Sequence, residues 1–83
     1  MARDTNKYIL TQGGKTVYVG ITNNMERREA EHRNEGMKFD NMQKVGRMTT
    51  RDAAGAWEQQ TIQQYKDEHR GHRPRYNQND SGK

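Results

Sequence analysis

Apolar and polar positions follow a different rhythm in each part of this chain. The stretch "KYILTQGGKTVYVGIT", Lys7 to Thr22, holds two β-branched and aromatic runs, Tyr8 to Thr11 and Thr16 to Ile21, around Gly13-Gly14. Such residues suit a pleated surface, and a glycine pair accepts positive φ, so the stretch predicts a β-hairpin. "TNNMERREAEHRNEG" follows with helix punctuation: Asn23 as cap, Glu26 three residues on as in a capping box, and Gly36 as the stop. "KVGRMTT", Lys44 to Thr50, predicts a third short strand. A second helix is predicted from Arg51 to about His69, capped by Thr49 or Thr50. Together these elements predict an α+β fold, an α/β sandwich in which a small three-stranded antiparallel sheet is flanked by helices. The tail "RGHRPRYNQNDSGK" holds the one proline and no periodicity, so residues 78–83 are expected to fray. Without a repeat or linker, residues 1–83 read as one domain with its core at about 7–77.

The two helices differ in what they can bury. On the second, Ala54, Trp57, Thr61, Ile62 and Tyr65 share one stripe, which predicts the core-facing side with Trp57 inside it. Glu58 lies near the middle of that stripe. An inward carboxylate is costly unless it is paired or binds a metal. Arg47 or a tyrosine hydroxyl would satisfy it structurally; a metal would use it functionally. The first helix has almost no apolar stripe, and Met25, Arg28 and His32 share one of its faces. That face reads either as a solvated surface laced with Glu26, Glu29 and Glu31 pairs, or as the wall of a cleft.

Composition narrows the field. Only 28% of the 83 residues are apolar, which allows one thin core layer. A chain of this size buries roughly 60% of its unfolded surface. Cysteine is absent, which rules out disulfides and thiolate metal sites and suits a reducing compartment. No apolar run approaches the roughly 18 residues of a membrane span, and "MARDTNKY" has no signal-peptide core. The net charge of +4 favours phosphate-bearing partners. Two other features carry less. "GGKT" ends like a phosphate loop, but Ile9 replaces the first glycine and a strand follows. "HRGHR", His69 to Arg73, lacks partners of metal-ligand type and reads as a phosphate-contacting or solvated patch.

Taken in order, "NKY" at Asn6 to Tyr8, "YVG" at Tyr18 to Gly20, the Arg-then-His helix and the isolated Glu58 resemble the GIY-YIG nuclease family. "NKY" departs from that family's first triplet, whereas "YVG" keeps the second. The resemblance spans residues 7–77 and implies catalytic roles for Tyr8, Tyr18, Arg28, His32 and Glu58. Arg28 is selected over Arg27 because the family's arginine follows the glycine by eight residues. Glu58 would bind one Mg²⁺ or Mn²⁺, with Gly20 and the "RYN" asparagine, Asn77, in support. Arg28 would brace the scissile phosphate with its planar fork. The resemblance suggests Tyr8 as general base, while His32 is the easier base on ordinary pKa, so the choice among Tyr8, Tyr18 and His32 stays open. Arg27, Lys38, Lys44, Arg47, Arg51, Arg70, Arg73 and Arg75 are candidates for backbone contacts with nucleic acid.

Geometry attaches one condition to the tyrosines. Tyr8 and Tyr18 are ten apart, so a plain two-residue loop at Gly13-Gly14 would pair Tyr8 with Val19 and split the tyrosines between faces. A shared site therefore requires a three- or five-residue loop, or a bulge. The resulting expectation is a metal-dependent DNA endonuclease of low sequence specificity, monomeric or homodimeric and acting in the cytoplasm without a membrane. RNA stays open as substrate, because nothing singled out reads a 2′-hydroxyl. The resemblance suggests the toxin branch, a nuclease domain of a secreted bacterial effector held by an immunity protein, or else a small phage or plasmid nuclease. The competing expectations are a binding module that does not cut and a catalytic piece of a repair or restriction enzyme.

Overall fold

The computed structural model of the protein describes residues 3–77. The predicted fraying of 78–83 falls outside them. Along the chain come β1 (Thr5–Gln12), β2 (Lys15–Thr22), α1 (Met25–Asn34), β3 (Asn41–Thr49) and α2 (Arg51–Glu68). The strands form one antiparallel sheet in the order β2-β1-β3, the expected α+β architecture.

The hairpin resolves the parity condition. Gln12 pairs with Lys15, and Gly13 and Gly14 turn the chain with φ of 59° and 80°. Two successive positive φ values are what a two-residue hairpin loop requires. Thr11 then pairs with Thr16 but Leu10 pairs with Tyr18, so Val17 is an extra residue, a β-bulge. Beyond the bulge Tyr8 faces Gly20. Tyr8, Leu10, Tyr18 and Gly20 therefore share one face, as a shared site demands.

That face carries the core. Tyr8, Leu10, Val17, Tyr18 and Phe39 form one buried cluster, with Met25, Met37, Met42 and Tyr76 packed against it. The outer edge of β2 is closed by the C-terminal segment rather than by a strand. Tyr76 N donates to the carbonyl of Val17 at 2.8 Å. Asn77 accepts from Val19 N through Oδ1 at 2.9 Å and donates to Val19 O through Nδ2 at 3.0 Å. One side-chain amide thus stands in for a neighbouring strand on an edge that would otherwise be open.

Four details differ from expectation. Asn24, not Asn23, caps α1, accepting from Arg27 N at 3.0 Å. Thr22 Oγ1 accepts from Asn24 N and donates to Asn24 O, which holds that residue at the cap and shifts the frame by one. Glu26 therefore misses the capping-box position. β3 begins at Asn41, earlier than Lys44, because the register with β1 runs on to Thr11. On α2, capped by Thr50, the buried line is Ala54, Glu58 and Ile62. Trp57, Thr61 and Tyr65 are only half-buried. They flank that line, with Lys7 Nζ standing 6.0 Å from the Trp57 ring centroid. Glu58 thus lies at the middle of the inward stripe as expected, while Trp57, expected in the core, sits at its edge.

Candidate active site

Four of the five candidate catalytic side chains are buried. Tyr8 is 0% exposed, Tyr18 5%, and His32 and Glu58 2% each. β1 supplies Tyr8, β2 supplies Tyr18, and α1 brings His32 onto them. Tyr8 Oη lies 2.7 Å from His32 Nε2. The Tyr18 ring meets His32 edge-on at 4.8 Å between centroids and stacks against Tyr8 at 6.1 Å. The two tyrosine hydroxyls also share a hydrogen bond. On the Arg28–His32 face, His32 is thus buried against the tyrosines while Arg28 stays partly exposed.

Gly20 is what makes the cluster fit. A Cβ there would stand 2.6 Å from Tyr8 Oη and 2.7 Å from both Tyr18 Cε2 and Tyr8 Cζ. No side chain larger than hydrogen fits without displacing a ring. The supporting role expected of Gly20 is steric.

Electrostatics keep the pair neutral at rest. Burial pushes the Tyr8 and Tyr18 phenols above the ordinary 10.0, against the partial relief of the Arg28 charge. Burial, and then Arg28, hold His32 below the ordinary 6.5. Neutral imidazole can accept a proton. With Nε2 accepting from the Tyr8 hydroxyl, the ring proton sits on Nδ1, 3.7 Å from Glu35 Oε1. Glu35 was not anticipated, although its i,i+3 spacing from His32 was there to be read.

Arg28 and Glu58 adjoin this buried cluster. Both act electrostatically on the two tyrosines. The Arg28 side chain is 34% exposed and lies 3.5 Å from Glu31 Oε1. Its Nε is buried with no hydrogen-bond partner among the described residues, a donor available to a ligand. Glu58 lines a surface pocket with Ile21, Arg51, Asp52, Gly55, Ala56 and Gln59. Gly55, inside a helix and beside Glu58, was not singled out from sequence, though a helix-interior glycine is itself a signal.

The other candidates divide by position. Arg27, Lys38, Lys44, Arg47, Arg51, Arg70, Arg73 and Arg75 are all exposed. Arg27 and Arg51 line one pocket with Arg28. In "HRGHR", His69 stacks on Tyr65 at 3.8 Å between centroids. Among the described residues no three His, Cys, Asp or Glu side chains cluster to hold a metal ion. A caged metal is therefore not offered by the described residues. A single inward carboxylate on a pocket fits a hard cation that keeps its waters and takes its remaining ligands from phosphate.

No curated protein and no solved structure matches the chain. The model of the GIY-YIG catalytic domain matches residues 7–73, stopping short of the Asn77 included in the resemblance. Those residues hold the Tyr8–His32 pair, the bulge that aligns Tyr18 with it, Arg28 and Glu58, and the chain belongs to the GIY-YIG catalytic domain family, a family of endonucleases.

Proposed function

We propose that the protein is a divalent-metal-dependent endonuclease that hydrolyses DNA phosphodiester bonds with low sequence specificity. The observation that carries this reading is the buried Tyr8–His32 pair, 2.7 Å apart, with Arg28 and the buried Glu58 close enough to act electrostatically on Tyr8. A module that only binds nucleic acid has no need to bury a carboxylate and a histidine beside its phosphate contact, where each is costly.

Each residue then has a task. Arg28 braces the scissile phosphate, its fork matching two phosphate oxygens. The Tyr8 oxygen takes the proton of the attacking water while the Tyr8 hydroxyl proton passes to His32 Nε2. This relay reconciles a phenol that ionises reluctantly with a histidine that stays neutral, since neither must carry charge before attack. Tyr18 holds the Tyr8 hydroxyl in place, and Gly20 leaves it room. Glu58 would hold one Mg²⁺ or Mn²⁺, which when bound supplies charge neutralisation at the phosphate and the departing oxygen.

Low specificity is supported by the exposed basic side chains, which suit phosphate rather than base edges. A nuclease of that kind endangers its own cell. The proposed settings are a toxin domain restrained by an immunity protein, toward which the motif resemblance leans, or a phage or plasmid nuclease, in either case acting in a cytoplasm. No helix among the described residues is long and apolar enough to cross a membrane. Supercoiled plasmid and a structured RNA, each with and without Mg²⁺ or Mn²⁺, test the proposal. Metal-dependent nicking of the plasmid supports it; cutting confined to RNA reassigns the substrate; no cutting by the folded protein overturns it in favour of binding alone.

A further inference from the structure

Two pockets adjoin along one side of the site. The first holds Glu58; the second is lined by Asp4, Thr5, Thr22, Asn23, Arg27 and Arg28, and the two share Ile21 and Arg51. Three arginines in the second pocket face one acid. Arg28 has Glu31 at 3.5 Å, but the other two are poorly neutralised: among the described residues the Arg27 guanidinium has only the neutral Asn23 Oδ1, at 3.3 Å. Arg51 makes no side-chain hydrogen bond or ion pair among the described residues. Arg33, by contrast, is paired with Glu29 at 3.3 Å on the same helix.

Placement makes these cations more conspicuous. Arg27 lies in the first turn of α1 and Arg51 is the first residue of α2. Both helix N-termini carry positive partial charge, where a cation is disfavoured and an anion is welcome. Local rules broken together, at one pocket, mark a site that serves something other than stability. Guanidinium groups gathered on one pocket suit a phosphate group.

Arg28 is already engaged with the tyrosine cluster, whose protons it influences. Arg27 and Arg51 line the second pocket, and Arg51 also borders the pocket of Glu58. We propose that Arg27 and Arg51 form a second phosphate subsite, which holds the backbone phosphate next to the one that is cut. This rests on the nuclease reading and deepens it: the substrate is a polynucleotide strand that continues past the scissile bond in one direction, held by charge there and not by base edges.

The test uses labelled DNA strands with one cleavable phosphodiester in a run of uncharged methylphosphonate linkages. In two further strands the charge is restored at the neighbouring linkage on one side or on the other. For the wild-type protein, restoring charge on one side alone should raise kcat/KM about tenfold or more, the scale of a charged hydrogen bond. With Arg27→Gln/Arg51→Gln that ratio of charged-flanked to neutral-flanked kcat/KM should fall to about one, the neutral-flanked strand serving as each protein's own reference. Both positions are exposed, so the fold should survive, and an unchanged melting temperature checks that it does. If the flanking charge has no effect, or the same effect in the double variant, the subsite is refuted. Loss of cutting on the neutral-flanked strand also refutes it, because the arginines then serve the scissile phosphate itself. If the wild-type protein cuts no strand and no plasmid, it is the nuclease reading that fails.

Discussion

Substituting Gly20 by alanine tests the geometry of the site through its tightest point. The added Cβ would lie 2.6 Å from Tyr8 Oη and 2.7 Å from Tyr18 Cε2, against about 3.5–4.0 Å for a comfortable contact. One ring must therefore move by close to an ångström. Tyr8 is fully buried and its hydroxyl is bonded to His32, so it has nowhere to go without leaving that bond. Overpacking of this kind costs about 1–3 kcal/mol. Leaving the buried His32 nitrogen unsatisfied adds about 1–3 kcal/mol more. The whole domain has only about 4–12 kcal/mol at the usual 0.05–0.15 per residue. Thermal melting followed by circular dichroism should fall by at least about 8 °C, at roughly 4 °C or more per kcal/mol for a domain of this size. Gly55→Ala is the control: nothing lies within 4 Å of its added Cβ, and its φ is not positive. It should gain about 0.5–1 kcal/mol from helix propensity and melt slightly higher. A Gly20→Ala protein that melts with the wild type would refute the packing described for Tyr8, Tyr18 and His32.

The remaining predictions follow from the same geometry. Tyr8→Phe deletes the hydroxyl at 2.7 Å from His32 and should lower cleavage by about 10² to 10⁴, the usual scale of a lost acid–base group, with the protein still folded. Arg28→Lys keeps the charge but loses the fork, and should cost about 10² to 10³ in turnover in a single-turnover assay. Asn77→Ala removes both side-chain bonds to buried Val19 and should destabilise by about 1–3 kcal/mol in urea titration. Stability should also depend on pH in a stated way. Below His32's ordinary 6.5 the unfolded chain binds a proton that the folded chain resists, so stability falls as pH drops from there toward the folded value. Above the ordinary 10.0 of the tyrosines the unfolded chain releases protons that the folded chain keeps, so stability falls again. Melting temperature against pH should show that window, and Tyr8→Phe should shallow its alkaline side.

Much of this was legible in the sequence, for physical reasons that also mark where legibility stopped. The hairpin was readable because strand periodicity is two and Gly13-Gly14 is a strong turn signal. Parity then required a three- or five-residue loop or a bulge once Tyr8 and Tyr18 were asked to share a face, and the extra Val17 supplies the bulge. Helix phase was less secure. The stripe read from sequence ran through Ala54, Trp57 and Ile62 with Glu58 near its middle, and it was wide enough to take in the tryptophan at its edge. The structure buries Ala54, Glu58 and Ile62 and leaves Trp57 half-buried. The α1 cap moved by one residue because Thr22 engages Asn24 locally, a hydrogen bond no periodicity records. The burial of His32 was also hidden, since α1 has no apolar stripe to announce which face turns inward. The union of Arg27 and Arg51 in one pocket depends on the tertiary approach of two helix ends far apart in the chain.

The central claim is that Glu58 is buried for catalysis and not for stability. Glu58→Gln nearly preserves the volume and removes the charge, and plasmid cleavage by this variant in Mg²⁺ or Mn²⁺ tests the claim directly. Cleavage lost by about 10² or more, from a protein that melts near the wild type and still binds DNA, is the predicted result. Wild-type cleavage by a folded Glu58→Gln protein would contradict it, and would leave Glu58 as a structural residue of α2.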